Sequence, residues 1–173
     1  MKLQIDNTFN FEQRKVIDKY FEIAKEKFNI QDKIISIEIK NSGRLKTSAG
    51  NATIYRIKNC GIIKMNKRLF NSTVGIKEFE NTFSHELAHV IANIIHNCNC
   101  GHDARWKRTH IALGGNAKRT HNYDVSHLRP TKNRFDYKCN CQIFKLSAVR
   151  HNKMQNGKAK YYCKKCKEYL KRV

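Results

Sequence analysis

An α+β fold is predicted for this 173-residue chain: helices packed on a small, mostly antiparallel sheet, followed by a β ribbon organised around paired cysteines. Three observations predict it. Apolar residues recur at steps of three and four over 10–28 and again over 76–96, the pattern of helices with a buried face. Between them, short segments alternate apolar and polar residues at period two. After the lone proline, Pro130, the pattern turns strand-like and its cysteines fall in pairs. The predicted division is a larger domain over 1–130 and a basic ribbon over 131–173.

Taken in order, the first helix is carried by Phe11, Val16, Ile17, Tyr20, Phe21, Ala24 and Phe28. "IISIEIK", Ile34 to Lys40, has the β-branched alternation of a strand, and "ATIYRIK" and "GIIKMN" repeat it after the turn-rich "NSGRLKTSAGN". Three antiparallel strands are expected. From Ile76 to His96 the residues Phe79, Phe83, Leu87, Val90, Ile91, Ile94 and Ile95 cover much of a helix surface, so this helix should be largely buried. "NCNCG" breaks it, and "HDARWKRTHIAL" reads as a further helix closed by Gly114 and Gly115.

The charge is uneven. Thirty-five basic residues against 14 acidic leave a formal charge of +21, beyond what solubility needs, and nucleic acid is the leading anionic partner. Residues 1–100 hold 16 Lys/Arg and 10 Asp/Glu, a balance of +6; residues 101–173 hold 19 and 4, a balance of +15. The second part interleaves its bases with aromatics, as in "RFDYKCNCQIF" and "KAKYYCKKCKEYLKR", a mixture suited to neutralising phosphates and stacking on bases. "MKLQIDNTFNFEQRK" lacks the apolar run of a signal peptide, and no apolar stretch is long enough to span a bilayer. A cytoplasmic protein is expected, nucleoid-associated or in a host cytoplasm if viral. In a reducing compartment, seven cysteines with four in tight pairs point to metal rather than disulfides.

His85 and His89 stand four apart on the predicted helix, so their imidazoles leave one face within reach of one ion; Glu86 sits beside them. In this HExxH arrangement the histidines bind zinc and the glutamate takes a proton from the water that the zinc activates. A catalytic zinc keeps three protein ligands and one open position. His96 does not suit the third place, because it lies about 10 Å along an unbroken helix from His89. His102, beyond the break at Gly101, ranks first, and Asp103 is its rival, although an acid at a helix start has a structural role there. Cys98 and Cys100 would make a closed, thiolate-rich site with no use for Glu86.

Cys139 and Cys141, with Cys163 and Cys166, suggest a four-cysteine structural zinc in a hairpin ribbon. The second pair is CxxC. The first is the tighter CxC, which leaves His151 as a possible substitute for Cys141.

HExxH followed by a loop and "GHDARW" resembles the SprT-like zinc metallopeptidases, the family that includes Spartan; where that family has glycine after the third histidine, this chain has Asp103. "GRLKTSAGNATIYRIKNCGIIKMNKRLF" is similar to the family's segment before the active helix, a strand and a short N-x-x-L stretch. The tail from Tyr137 to Leu170 resembles the zinc ribbon of bacterial SprT proteins, including its Arg-His-Asn run at Arg150 to Asn152. The resemblance spans roughly residues 40 to 173. It implies a zincin-like metalloprotease domain with a C-terminal β zinc ribbon, degrading proteins bound or crosslinked to single-stranded or duplex DNA.

The expected enzyme, a monomer, holds one catalytic zinc on His85, His89 and His102 and one structural zinc on Cys139, Cys141, Cys163 and Cys166. Glu86 serves as base and then as acid. Tyr123, Arg119 and His121 are candidate donors to the developing oxyanion, and Trp106 is expected to pack beneath the metal helix. The alternative is a non-catalytic, zinc-containing nucleic-acid-binding protein, against which Glu86 speaks. A zinc hydrolase of small amides is disfavoured by the charge.

Overall fold

The computed structural model describes residues 1–71, 74–120, 123 and 133–173. The chain divides into two compact units, Met1–Arg129 and Pro130–Val173. The expected boundary residue, Pro130, lies outside the described residues.

The first unit begins with strand β1 (Lys2–Ile5) and helix α1 (Phe11–Phe28). Asn10 opens α1 with a reciprocal cap: its side chain accepts from the Gln13 N–H, and the Gln13 side chain accepts from the Asn10 N–H. A short helix α2 (Ile30–Lys33) leads to β2 (Ser36–Ser42), then β3 (Gly50–Tyr55), a 3-10 turn over Arg56–Lys58, β4 (Cys60–Asn66) and a short helix α3 (Lys67–Phe70). The long helix α4 (Ile76–Ile95) and α5 (Ala104–Ala112) complete the unit.

The sheet order is β1-β2-β4-β3. It corrects the expected antiparallel arrangement: β1 and β4 both run parallel to β2, and only β3 against β4 is antiparallel. Alternation decides which face of a strand is buried, not which way it runs. The single turn between β3 and β4, closed by Asn59 in the left-handed region (φ 46°), makes those two a hairpin. Residues 43–49 carry the chain past the position that β4 takes, so β4 enters between β2 and β3, parallel to β2. The four-residue β1 is too short to register as a period.

Helix α4 packs on β3 and β4 and contacts α1 and α5. Its packed side is mainly apolar, with Phe79, Phe83, Leu87, Val90 and Ile91 at most 1% exposed, and Thr82 and Glu86 face the start of β3 at Gly50. Phe79 and Phe83 stack and meet Phe9, Phe70, Tyr20 and Phe21, giving a mainly aromatic contact with α1. At Gly61 on β4 an added Cβ would stand 2.6 Å from a Val90 methyl, so only glycine lets the strand come this close to the helix. No helix among the described residues is long and apolar enough to cross a membrane.

The second unit is a sheet of β5 (Arg134–Lys138), β6 (Ile143–Ser147) and β7 (Lys171–Arg172), order β6-β5-β7, antiparallel throughout. Helix α6 (Ala148–Gln155) follows β6, where sequence alternation indicated only strands. The buried core is small: Tyr137, Leu146, Cys163 and Leu170.

Candidate metal centre

Helix α4 places His85 and His89 one turn apart on the face that is not packed on the sheet. Its regular turns end at Ile95, with His96 as the exposed cap. The chain reverses through Asn97 and Gly101, both at positive φ, and Asp103 starts α5 by accepting from the N–H groups of Arg105 and Trp106. This reversal carries His102 back to α4. The three Nε2 atoms lie 3.2 Å (His85 to His89), 3.2 Å (His89 to His102) and 3.1 Å (His102 to His85) apart.

Three ring nitrogens in so small a triangle suit a shared cation better than mutual hydrogen bonds. Tetrahedral ligation at about 2.0–2.1 Å sets nitrogens about 3.3–3.4 Å apart, close to the spacing here. His85, His89 and His102 therefore form a group that could hold a metal ion. Their protonation favours it. Burial, helped by the nearby His102 and His110, pulls His89 down to about 4, and burial with the Arg119 charge lowers His102. Both rings stay neutral at pH 7, the form that binds metal. Asp103 is engaged as the α5 cap and in an ion pair with Arg105 at 2.6 Å.

Trp106 is fully buried and forms the floor of the centre, its ring centroid 4.7 Å from that of His85, 5.2 Å from His89 and 4.6 Å from His102. Against it, with ring centroids 4.9 Å apart, lies His110, a residue not selected from the sequence. Its Nε2 is 3.2 Å from the Ser84 hydroxyl, while its buried Nδ1 has no hydrogen-bond partner among the described residues. The available signal was spacing: Trp106 and His110 stand one turn apart on the buried face of α5, in line with Leu113 at its cap.

Glu86, the next residue along α4, points toward β3, where the backbone N–H of Ala52 donates to its carboxylate. Burial nevertheless pushes it up to about 7. Glu86 and His85 line a cavity of about 470 Å³, shared with Gly50, Arg119 and Tyr123. Of the candidate oxyanion donors, Arg119 and Tyr123 thus border the cavity, although the Tyr123 hydroxyl donates to the Glu78 carbonyl at 3.1 Å. His121 lies outside the described residues.

In the second unit, Cys139, Cys141, Cys163 and Cys166 bring their sulfurs within 4.8 Å of one another, a second group that could hold a metal ion. Cys139 and Cys141 are 3.4 Å apart and Cys141 and Cys163 3.6 Å. Tetrahedral ligation by thiolates at about 2.3 Å sets sulfurs about 3.8 Å apart. Backbone N–H groups of Cys166 and Lys165 aimed at Cys163 lower its thiol to about 6, so it offers a thiolate near neutrality. His151 sits elsewhere, stacked on Phe135 and 3.0 Å from the Tyr137 hydroxyl. Cys60 is half-buried on β4.

The SprT-like family model matches residues 17–127, which contain all of the histidine group. Proteins named Protein SprT are similar over long segments. That of Enterobacter sp. is 34% identical over 128 residues, 72% of each chain. That of Escherichia coli O1:K1 is 35% identical over 127 residues, again 72% of each. That of Proteus mirabilis is 36% identical over 96 residues, where the alignment spans 54% of this chain and 56% of the relative.

Proposed function

The chain belongs to the SprT-like family, and on that premise we propose that it is a zinc-dependent endopeptidase that cleaves proteins bound or crosslinked to DNA. One observation carries the reading: three imidazole nitrogens converge within 3.2 Å, and the half-buried Glu86 next to them in sequence lines a cavity with His85. A purely structural metal would have no need of Glu86 there.

His85, His89 and His102 would hold the ion in this reading. Zinc supplies Lewis acidity, activating a water at neutral pH and polarising the scissile carbonyl. In the metal-free protein burial pushes Glu86 up to about 7, and the charge of a bound cation would draw it back toward the carboxylate form that a base needs. Glu86 takes a proton from the attacking water and delivers it to the leaving amine, serving as base and acid in turn. Trp106 backs the three histidines, and the Ser84–His110 contact holds α5 against α4. Arg119, at the cavity rim, offers positive charge where the carbonyl oxygen gains negative charge.

Zinc on Cys139, Cys141, Cys163 and Cys166 stabilises the second unit, whose four-residue core would otherwise be marginal. The +15 of residues 101–173 holds the enzyme on nucleic acid, so tethering substitutes for side-chain specificity. The zinc-loaded protein should cut a DNA-bound protein faster with DNA present than without, and the stimulation should fade between about 50 and 200 mM salt. Cleavage indifferent to both single-stranded and duplex DNA would remove DNA from the proposal and leave the peptidase.

A further inference from the structure

The loop that brings His102 to α4 contains two cysteines that neither metal group uses. Their sulfurs are 3.2 Å apart: Cys98 is half-buried and Cys100 is 3% exposed. The loop is fastened at both cysteines to one residue of α4, Asn93. The Cys98 N–H donates to the Asn93 carbonyl, and the Cys100 N–H to its side-chain oxygen at 3.0 Å. The Asn93 side-chain amide donates in turn to the His89 carbonyl at 2.7 Å. From Cys100 the chain needs only Gly101 to reach His102, and the Cys100 carbonyl accepts from the Asp103 N–H that begins α5. The thiol pair is thus linked through the backbone and Asn93 to two of the three histidines.

We propose that Cys98 and Cys100 are a peroxide-sensitive dithiol whose oxidation to a disulfide loosens the metal from His85, His89 and His102. This rests on the reading of those histidines as a metal centre. The more accessible Cys98 reacts first: its sulfur attacks a peroxide oxygen, the O–O bond breaks and the leaving oxygen departs as water. The sulfenic acid so formed is attacked by the Cys100 sulfur, and its oxygen leaves as a second water. Two thiols lose two electrons and two protons, and hydrogen peroxide is reduced to two waters.

An S–S bond of about 2.05 Å draws the sulfurs about 1.2 Å closer than they stand here. The loop has little slack, because both N–H groups are held by Asn93, so the contraction is passed to Gly101 and His102. Cysteines one residue apart close a small ring, and strained disulfides of this kind are readily reduced again. The device is therefore reversible by an ordinary thiol.

The test treats the full zinc-loaded chain with hydrogen peroxide, then maps thiols by mass spectrometry and counts zinc after desalting. The tryptic peptide 78–105 contains Cys98 and Cys100 and no other cysteine, so its redox state is read directly in the wild type. That peptide should lose two hydrogens, and zinc should fall by up to one ion per chain, returning after dithiothreitol and zinc. Cys98→Ser and Cys98→Ala proteins, checked for the same starting zinc content, should keep that ion. A peptide that stays reduced while other cysteines oxidise overturns the proposal, as does a disulfide that forms with no zinc loss beyond that of the variants. A starting sample with no zinc on the histidines would refute the metal-centre reading instead, whatever the peptide shows.

Discussion

Gly50→Ala puts the placement of Glu86 under direct strain. Gly50 opens β3 opposite α4, and a Cβ there would stand 2.9 Å from the Glu86 Cγ, 2.9 Å from the Thr82 Cγ2 and 3.1 Å from the Glu86 Oε1. Carbon atoms settle about 3.5–4.0 Å apart, so something must retreat by about 0.6 Å or more. Thr82 is 6% exposed and stiff at χ1, whereas Glu86 turns about its side-chain bonds, so the carboxylate is what moves. A misplacement of about 1 Å at a reacting group can cost about 100-fold in rate. For the smaller shift here, a loss on the order of tenfold, about 1.4 kcal/mol of barrier, is expected in turnover. Overpacking should lower stability by about 1–3 kcal/mol. The assay is cleavage of a DNA-bound protein at saturating substrate, with zinc counted on the same sample. Wild-type turnover in Gly50→Ala with unchanged zinc would refute the claim that β3 positions Glu86 for the chemistry.

The remaining predictions concern metal and protons. His102→Ala should reduce zinc from two ions per chain to one and abolish cleavage; Cys163→Ser should also leave one ion, but with the second unit losing its fold by circular dichroism or proteolysis. Two ions retained in either variant would contradict the two-site assignment. In metal-free protein, His89 and His110 are both held at about 4 against 6.5 unfolded, so the native state binds fewer protons than the unfolded chain. Stability should accordingly fall as pH drops through 6.5 toward 4. His110→Gln should flatten part of that slope in thermal unfolding, and an unchanged slope would show that His110 is not buried as a neutral ring.

The helices were legible because their cores are regular: α1 and α4 bury residues at steps of three and four. His85 and His89 needed only a helix to converge, and His96 was separable from His102 because α4 runs unbroken to Ile95 before the chain reverses. Strand direction was not legible, since β2, β3 and β4 alternate alike whether parallel or antiparallel. The result hung on how far residues 43–49 travel. Helix α6 was hidden for a different reason: "AVRHNKMQ" has few apolar residues and buries only His151. Asn93 and His110 escaped notice because a polar residue in a helix normally faces water. Here Asn93 ties the His102 loop to α4, and His110 pairs with Ser84. Such roles depend on the neighbouring segment, which periodicity does not encode.

The central claim is that a metal held by three histidines works with Glu86 in peptide hydrolysis, and Glu86→Gln tests it most directly. The glutamine keeps the shape and can still accept from the Ala52 N–H, but it cannot take up a proton. Zinc content and cleavage of a DNA-bound protein should be measured on one preparation. The expected result is two ions per chain with cleavage reduced to background. Cleavage at the wild-type rate by the zinc-loaded Glu86→Gln protein would contradict the account.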